Sequence, residues 1–127
     1  MLIFIVDSEI IAAETMRAKL RAGGFEVELD SGIEDSGVIL ELIRAKQPDC
    51  IILNLDLING QGKRLLLALK SDRLLSSLPV FVYSHTSDYL TPESCRQLGA
   101  DYFFDRSQYS VNEFLASFIK IIKNLTL

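Results

Sequence analysis

Four short stretches of this sequence carry residue types that could do chemistry. They are Asp7, Ser8 and Glu9; Asn54 and Asp56 around Leu55; Ser84 and His85; and Asp105, Arg106 and Ser107. Carboxylates in such a set could hold a hard divalent cation or, as anions, act as nucleophiles. A guanidinium among them could pair with an acid through its planar fork. Each stretch directly follows a short apolar run: Leu2 to Val6, Cys50 to Leu53, Val80 to Tyr83 and Tyr102 to Phe104. If those runs are parallel strands of one open sheet, their carboxyl ends bring the four stretches together, where such sheets bind ligands.

The rest of the pattern supplies that sheet. Continuous apolar runs of four or five residues are what strands buried on both faces require. Phe25, Val27 and Leu29 alternate with Glu26, Glu28 and Asp30, which predicts a half-exposed strand. Helical spacing runs through Ile10, Ala13, Met16 and Leu20 and stops at Gly23-Gly24. Ser31 to Ser36 reads as a loop, and a short helix over Val38 to Lys46 stops before Pro48. Asn59, Gly60 and Gly62 read as a turn before a Leu-rich helix at about Lys63 to Lys70. Thr91 and Pro92 start a further helix that ends before Gly99. Ser110 and Glu113 form a capping box for the last helix, whose stripe is Val111, Phe114, Leu115, Phe118, Ile122 and Leu125. Leu125-Thr126-Leu127 follow directly as its ending. Five strands alternating with five helices demand a parallel sheet covered on both faces and joined by right-handed crossovers.

Composition narrows the function classes. The chain has 127 residues, 49% hydrophobic and 24% charged, the profile of one globular domain spanning residues 1–127. A net charge of -4 and the lack of any basic run oppose nucleic-acid or anionic-membrane binding. No apolar stretch approaches the ~20 residues of a membrane span. Cys50 and Cys95 have no metal-ligand spacing and read as reduced packing residues, so a cytoplasmic location is expected.

Four motifs, in order, give the chain a family likeness: LIFIVDSE, PDCIILNLDLINGQG, PVFVYSHTSD and GADYFFDRS. With them the chain resembles, over essentially its whole length, the receiver domains of two-component response regulators (CheY-like). The resemblance implies a flavodoxin-like, doubly wound α/β fold with strand order 2-1-3-4-5 and five flanking helices. It also implies a signalling function, in which an aspartate accepts a phosphoryl group from a histidine kinase beside a bound magnesium ion.

Carried over residue by residue, the implied site is altered. The phospho-acceptor position falls on Asn54, and the second acid after the first strand is Ser8, beside Asp7. The switching hydroxyl falls on Ser84, the lysine on Arg106, the proline after it on Ser107, and the switch aromatic on Phe103. An amide is neutral and its lone pair delocalised, so Asn54 cannot form an acyl phosphate. Asp7 and Asp56 are left as metal ligands for a magnesium ion bound weakly if at all, and no other cofactor is expected. Asp7 with Arg106 sums to zero, or to -1 if Asp56 faces inward. Arg106 could pair with Asp7 and close the pocket without phosphate or metal. The expectation is a pseudo-receiver, not an enzyme, that acts by docking to a protein partner or to itself. By likeness to the family, the docking face is the fourth helix, fifth strand and fifth helix.

Other readings stay in view. A divergent acceptor could use Asp56 or Asp7 with weak magnesium. A flavodoxin-type cofactor binder is opposed by the acids of the Asp7-Ser8-Glu9 turn, which would repel phosphate. Glu9 reads as a first-turn helix acid and His85 as a loop surface residue. Leu67 is expected off the core face of its helix, and Ile119 and Ile121 flank the main stripe of the last one.

Overall fold

In the computed structural model, which describes residues 1–125, the apolar runs lie side by side in one parallel sheet. Strands β1 (Leu2–Val6), β2 (Glu26–Asp30), β3 (Cys50–Leu53), β4 (Val80–Ser84) and β5 (Tyr102–Asp105) take the order β2-β1-β3-β4-β5. The expectation for residues 126 and 127 lies outside the described residues.

The alternation along each strand divides the core into two layers. Phe4, Val6, Ile51, Leu53, Val80 and Val82 face helices α2 (Ser36–Lys46), α3 (Gln61–Ser71) and α4 (Pro92–Gln97). Ile3, Ile5, Cys50, Ile52, Phe81 and Tyr83 face α1 (Ile10–Ala22) and α5 (Val111–Leu125). With both faces covered, no polar alternation is possible in β1, β3 and β4, which is why they read as unbroken apolar runs. Each fully buried Ile, Leu or Phe contributes about 1.5–3 kcal/mol. Phe81, Phe114 and Phe118 are the largest of these side chains. The Cys50 thiol is fully buried, and desolvation pushes its pKa up to about 12, which leaves it inert.

The helix ends follow local chemistry, with two shifts from the sequence reading. The second helix starts at Ser36 rather than Val38, because the Asp35 carboxylate accepts from the Gly37 amide at 2.9 Å and caps it. The third begins at Gln61 after a 3-10 turn over Ile58–Gly60, so Gly62 is helical and not part of the turn. Close packing explains that glycine: a Cβ there would meet the Leu55 carbonyl oxygen at 2.3 Å. Ile119 and Ile121 flank the stripe of α5 as expected, half-buried and packed against the core. Leu67 is exposed as expected. The Ser110–Glu113 capping box forms in both directions, at 3.0 and 3.2 Å.

Register sets the position of the site. Val6 pairs with Leu53, Leu53 with Val82 and Ser84 with Asp105. The strands therefore end nearly level, and the residues that follow them share one end of the sheet.

Candidate functional site

Asp7, Asn54, Ser84 and Arg106 meet at the carboxyl ends of β1, β3, β4 and β5 in one closed polar network. Asp7 is 1% exposed, and its Oδ1 accepts from the Asn54 Nδ2 at 3.1 Å and from the Glu9 amide at 3.0 Å. Its other oxygen, Oδ2, pairs with the Arg106 Nη2. The Asn54 carbonyl oxygen accepts from the Ser84 hydroxyl at 2.8 Å and from the Asp56 amide at 2.9 Å. Ser84 Oγ in turn accepts from the Leu55 amide at 2.6 Å.

The orientation of the amide follows from its surroundings. Its oxygen faces two donors, while its NH2 faces Asp7 and, at 3.4 Å, the carboxylate of Glu9. An aspartate at this position would turn that contact into a carboxylate repelling two others.

Arg106 is the hub, with its side chain 5% exposed. Nε donates to the Tyr83 carbonyl at 2.8 Å, Nη1 to Glu9 Oε2 at 2.5 Å and Nη2 to Asp7. The guanidinium carbon lies 4.4 Å from the centroid of the Tyr83 ring, within cation–π range. That ring stacks on Phe114 with centroids 4.2 Å apart, and its hydroxyl donates to the Tyr109 carbonyl at 2.6 Å. Burial raises the Tyr83 phenol above its ordinary pKa, and the charge of Arg106 opposes part of that rise. A lysine could offer one compact charge here, but not a planar fork that meets a carbonyl and two acids together.

Beside the hub, Ser107 donates to Asp105 Oδ1 from its amide at 2.9 Å and its hydroxyl at 2.8 Å, and Thr86 donates to Oδ2 at 3.2 Å. The Ser107 bonds, the amide bond foremost, hold the Asp105 carboxyl below the usual range. The Thr86 bond ties the loop after β4 to the end of β5.

The sequence candidates divide into those the fold brings together and those it leaves outside. Asp7, Asn54, Ser84 and Arg106 form the network. Ser8, Asp56 and His85 are exposed around it, and no side-chain bond joins Asp56 to the network. Phe103 is half-buried and packs on the α2–α3–α4 layer.

Glu9 corrects the sequence reading. It is not a first-turn acid of α1 but the residue before it, makes no capping bond, and turns its carboxylate onto Arg106 and Asn54. The acids that meet Arg106 are therefore Asp7, which is buried, and Glu9, which reaches it from the exposed rim, and the three sum to a formal -1. A signal for this existed: Glu9 stands two residues past Asp7, the same spacing that singled out Asp56 after Asn54. Tyr83 was missed because it contributes a backbone carbonyl and a ring face, neither of which leaves a motif.

Every buried side-chain polar atom among the described residues has a hydrogen-bond partner. No cluster of three or more His, Cys, Asp or Glu among them is arranged to hold a metal. No helix of the described residues is long and apolar enough to cross a membrane.

Comparison with known proteins places this architecture. Solved structures of similar fold include the chemotaxis response regulator CheY4 of Vibrio cholerae, with a TM-score of 0.79 and 16% identity over 94% of this chain and 97% of that one. A two-component response regulator from Clostridium difficile has a TM-score of 0.80 and 15% identity, covering 99% and 98%. The receiver domain of the Francisella response regulator 1452 has a TM-score of 0.77 and 20% identity, covering 99% and 98%. At these identities the likeness is one of fold. No curated protein matches the sequence. A family model for the response regulator receiver domain matches residues 3–115. With nearly all of the sequence matched and the sheet order in agreement, the chain belongs to the response regulator receiver domain family.

Proposed function

We propose that this receiver domain works without phosphorylation, as a protein-docking module whose pocket is closed by its own side chains. The observation that supports this reading is Arg106, which spends one bond from each of its three nitrogens on the Tyr83 carbonyl, Glu9 and Asp7. The position where a carboxylate nucleophile would stand is Asn54, and its amide is satisfied on both sides.

The residues present do not fit a magnesium ion. Asp7 has both oxygens bonded, and a guanidinium supplies the positive charge that a hard cation would otherwise bring. In this reading the domain is not an enzyme, acts in the cytoplasm and depends on a partner protein or a second copy of itself.

Incubation with radiolabelled acetyl phosphate and magnesium, followed by acid gel analysis, tests it. No acid-stable, base-labile label is expected. Such a label would overturn the reading, and its loss in Asp56→Ala would move the acceptor role to Asp56, which is exposed and whose backbone amide donates to Asn54 Oδ1.

A further inference from the structure

We propose that the outer edge of β2 is a docking surface, where a partner protein adds an extended segment of alternating basic and apolar residues as a further strand. The proposal rests on the docking role given above and names its surface and the chemistry of the partner. β2 is an outer strand of the sheet, and it pairs with β1 residue for residue, from Leu2 with Glu26 to Val6 with Asp30. The Glu26 amide donates to the Met1 carbonyl, and the Asp30 carbonyl accepts from the Asp7 amide, each at 3.0 Å. Even-numbered residues of β2 therefore spend their backbone groups on β1, while Val27 and Leu29 turn theirs away from the sheet. Arg21 marks that direction, since its Nη2 reaches the Val27 carbonyl from α1 at 3.3 Å. The Val27 amide and both backbone groups of Leu29 are left without a partner among the described residues.

This edge lacks most of what blunts one: its register has no bulge and its sequence no proline. Charge guards it, and that guard is selective. The side chains of Val27 and Leu29 pack with the α1–α5 layer, so Glu26, Glu28 and Asp30 face the α2 side. Lys46 of α2 pairs with Glu28 at 3.5 Å. Glu26 is exposed and is in no ion pair among the described residues, with a side chain or with the amine of Met1. Two arginines border the strand on its α1 side, Arg21 on the Val27 carbonyl and Arg17 paired with Glu14. On the α2 side, three acids against one lysine oppose an antiparallel second copy of β2, whose acids would lie across from these. They complement a strand that carries lysine or arginine on that side.

Both flanks of the edge have room for alternate side chains. Val38 and Leu42, 47% and 39% exposed, lie on the same helical stripe as Lys46, which its pair with Glu28 turns toward β2. The stems of incoming lysines can lie along these two residues while their ammonium groups meet the acids. On the α1 side, Leu29 shares a shallow depression of about 330 Å³ with Ala13 and Arg17, which takes an apolar side chain of the added strand. In strand addition, backbone bonds supply affinity and pockets for alternate side chains supply specificity.

A short peptide of alternating Lys and Val serves as probe against the nitrogen-labelled full chain, with its Glu/Val counterpart as control. Two further versions carry N-methyl groups, one on its Lys residues and the other on its Val residues. An added strand turns only alternate amides to β2, so one version should bind as tightly as the parent and the other at least tenfold more weakly. Amide shifts should centre on Glu26 to Asp30, and at saturation the Val27 and Leu29 amides should exchange with solvent at least tenfold more slowly. The Lys/Val peptide should bind at least tenfold tighter than Glu/Val, and Glu26→Lys with Glu28→Lys should reverse that order. Equal losses in both N-methyl versions, no added protection at Val27 and Leu29, shifts centred on α4, β5 and α5, or an unchanged spectrum would overturn the proposal. Dimerisation of the protein alone with the same two amides protected would assign the edge to a second copy and overturn it too. Labelling by acetyl phosphate reads the pocket separately, so failure of strand addition and failure of the phosphorylation-independent reading give different results.

Discussion

At the scale of single residues, Arg106 decides the chemistry. Its pair with Asp7 is buried, and removing one partner of such a pair leaves an uncompensated charge at a cost of about 3–5 kcal/mol. Arg106→Met should therefore lower the unfolding free energy by about that much in urea titration, and adding Asp7→Asn should recover part of it. Arg106→Lys should cost less, about 1–2 kcal/mol, because one charge is kept while bonds of the fork are lost. Asn54 bears on the same balance. Asn54→Asp places a third carboxylate against Asp7 and Glu9, and a loss of about 1–3 kcal/mol is expected, partly recovered by millimolar magnesium in thermal unfolding. Recovery by magnesium of the unaltered protein to the same degree would contradict this. These two residues were legible from their types alone. Glu9 was not, because a single acid at a helix start has two plausible positions, and only the path of the guanidinium selects between them.

At the scale of elements, the strand ends are aimed by backbone packing that the sequence shows only in part. The β3–α3 connection passes so close to the helix that Gly62 has no room for a side chain. Leu55 cannot retreat easily, since its amide is held by Ser84. Gly62→Ala should lower the melting temperature by at least about 5 °C and shift the amides of Asn54 and Asp56. An alanine tolerated without either change would mean the loop is looser than this contact implies. The capping box of α5 gives a pH signature. The Ser110 amide, and after it the Ser110 hydroxyl, hold the Glu113 carboxyl below its ordinary range. A carboxylate whose folded pKa is depressed stabilises the fold above its unfolded pKa, and that contribution is lost as pH falls through the folded value. The stability gap between the native protein and Glu113→Gln should thus be widest near neutrality and narrow on acidification. Strand positions were readable because burial on both faces removes polar alternation. Helix starts shifted where caps such as Asp35 lie in segments that read as loop.

At the scale of the molecule, fold and family were legible while the state of the pocket was not. Sheet order follows from alternation and chirality, and the four motifs place the strand ends in sequence. Whether the pocket is open or closed depends on side chains from four strands separated by up to 99 residues, Asp7 to Arg106. No local pattern encodes that meeting. Restoring three positions together, Ser8→Asp, Asn54→Asp and Arg106→Lys, should return magnesium binding and labelling by acetyl phosphate. The same three changes without any gain of label would place the loss elsewhere in the chain.

The closed pocket itself is tested most directly by amide NMR of the unaltered protein, titrated with magnesium and then with beryllofluoride, which mimics a phosphoryl group. A pocket sealed by Arg106, Asp7, Glu9 and Asn54 gives an unchanged spectrum at both steps, through millimolar metal. Saturable shifts at Asp7, Asn54 and Ser84, spreading to Phe103 and α5, would show a pocket that still binds and switches, and would contradict the account.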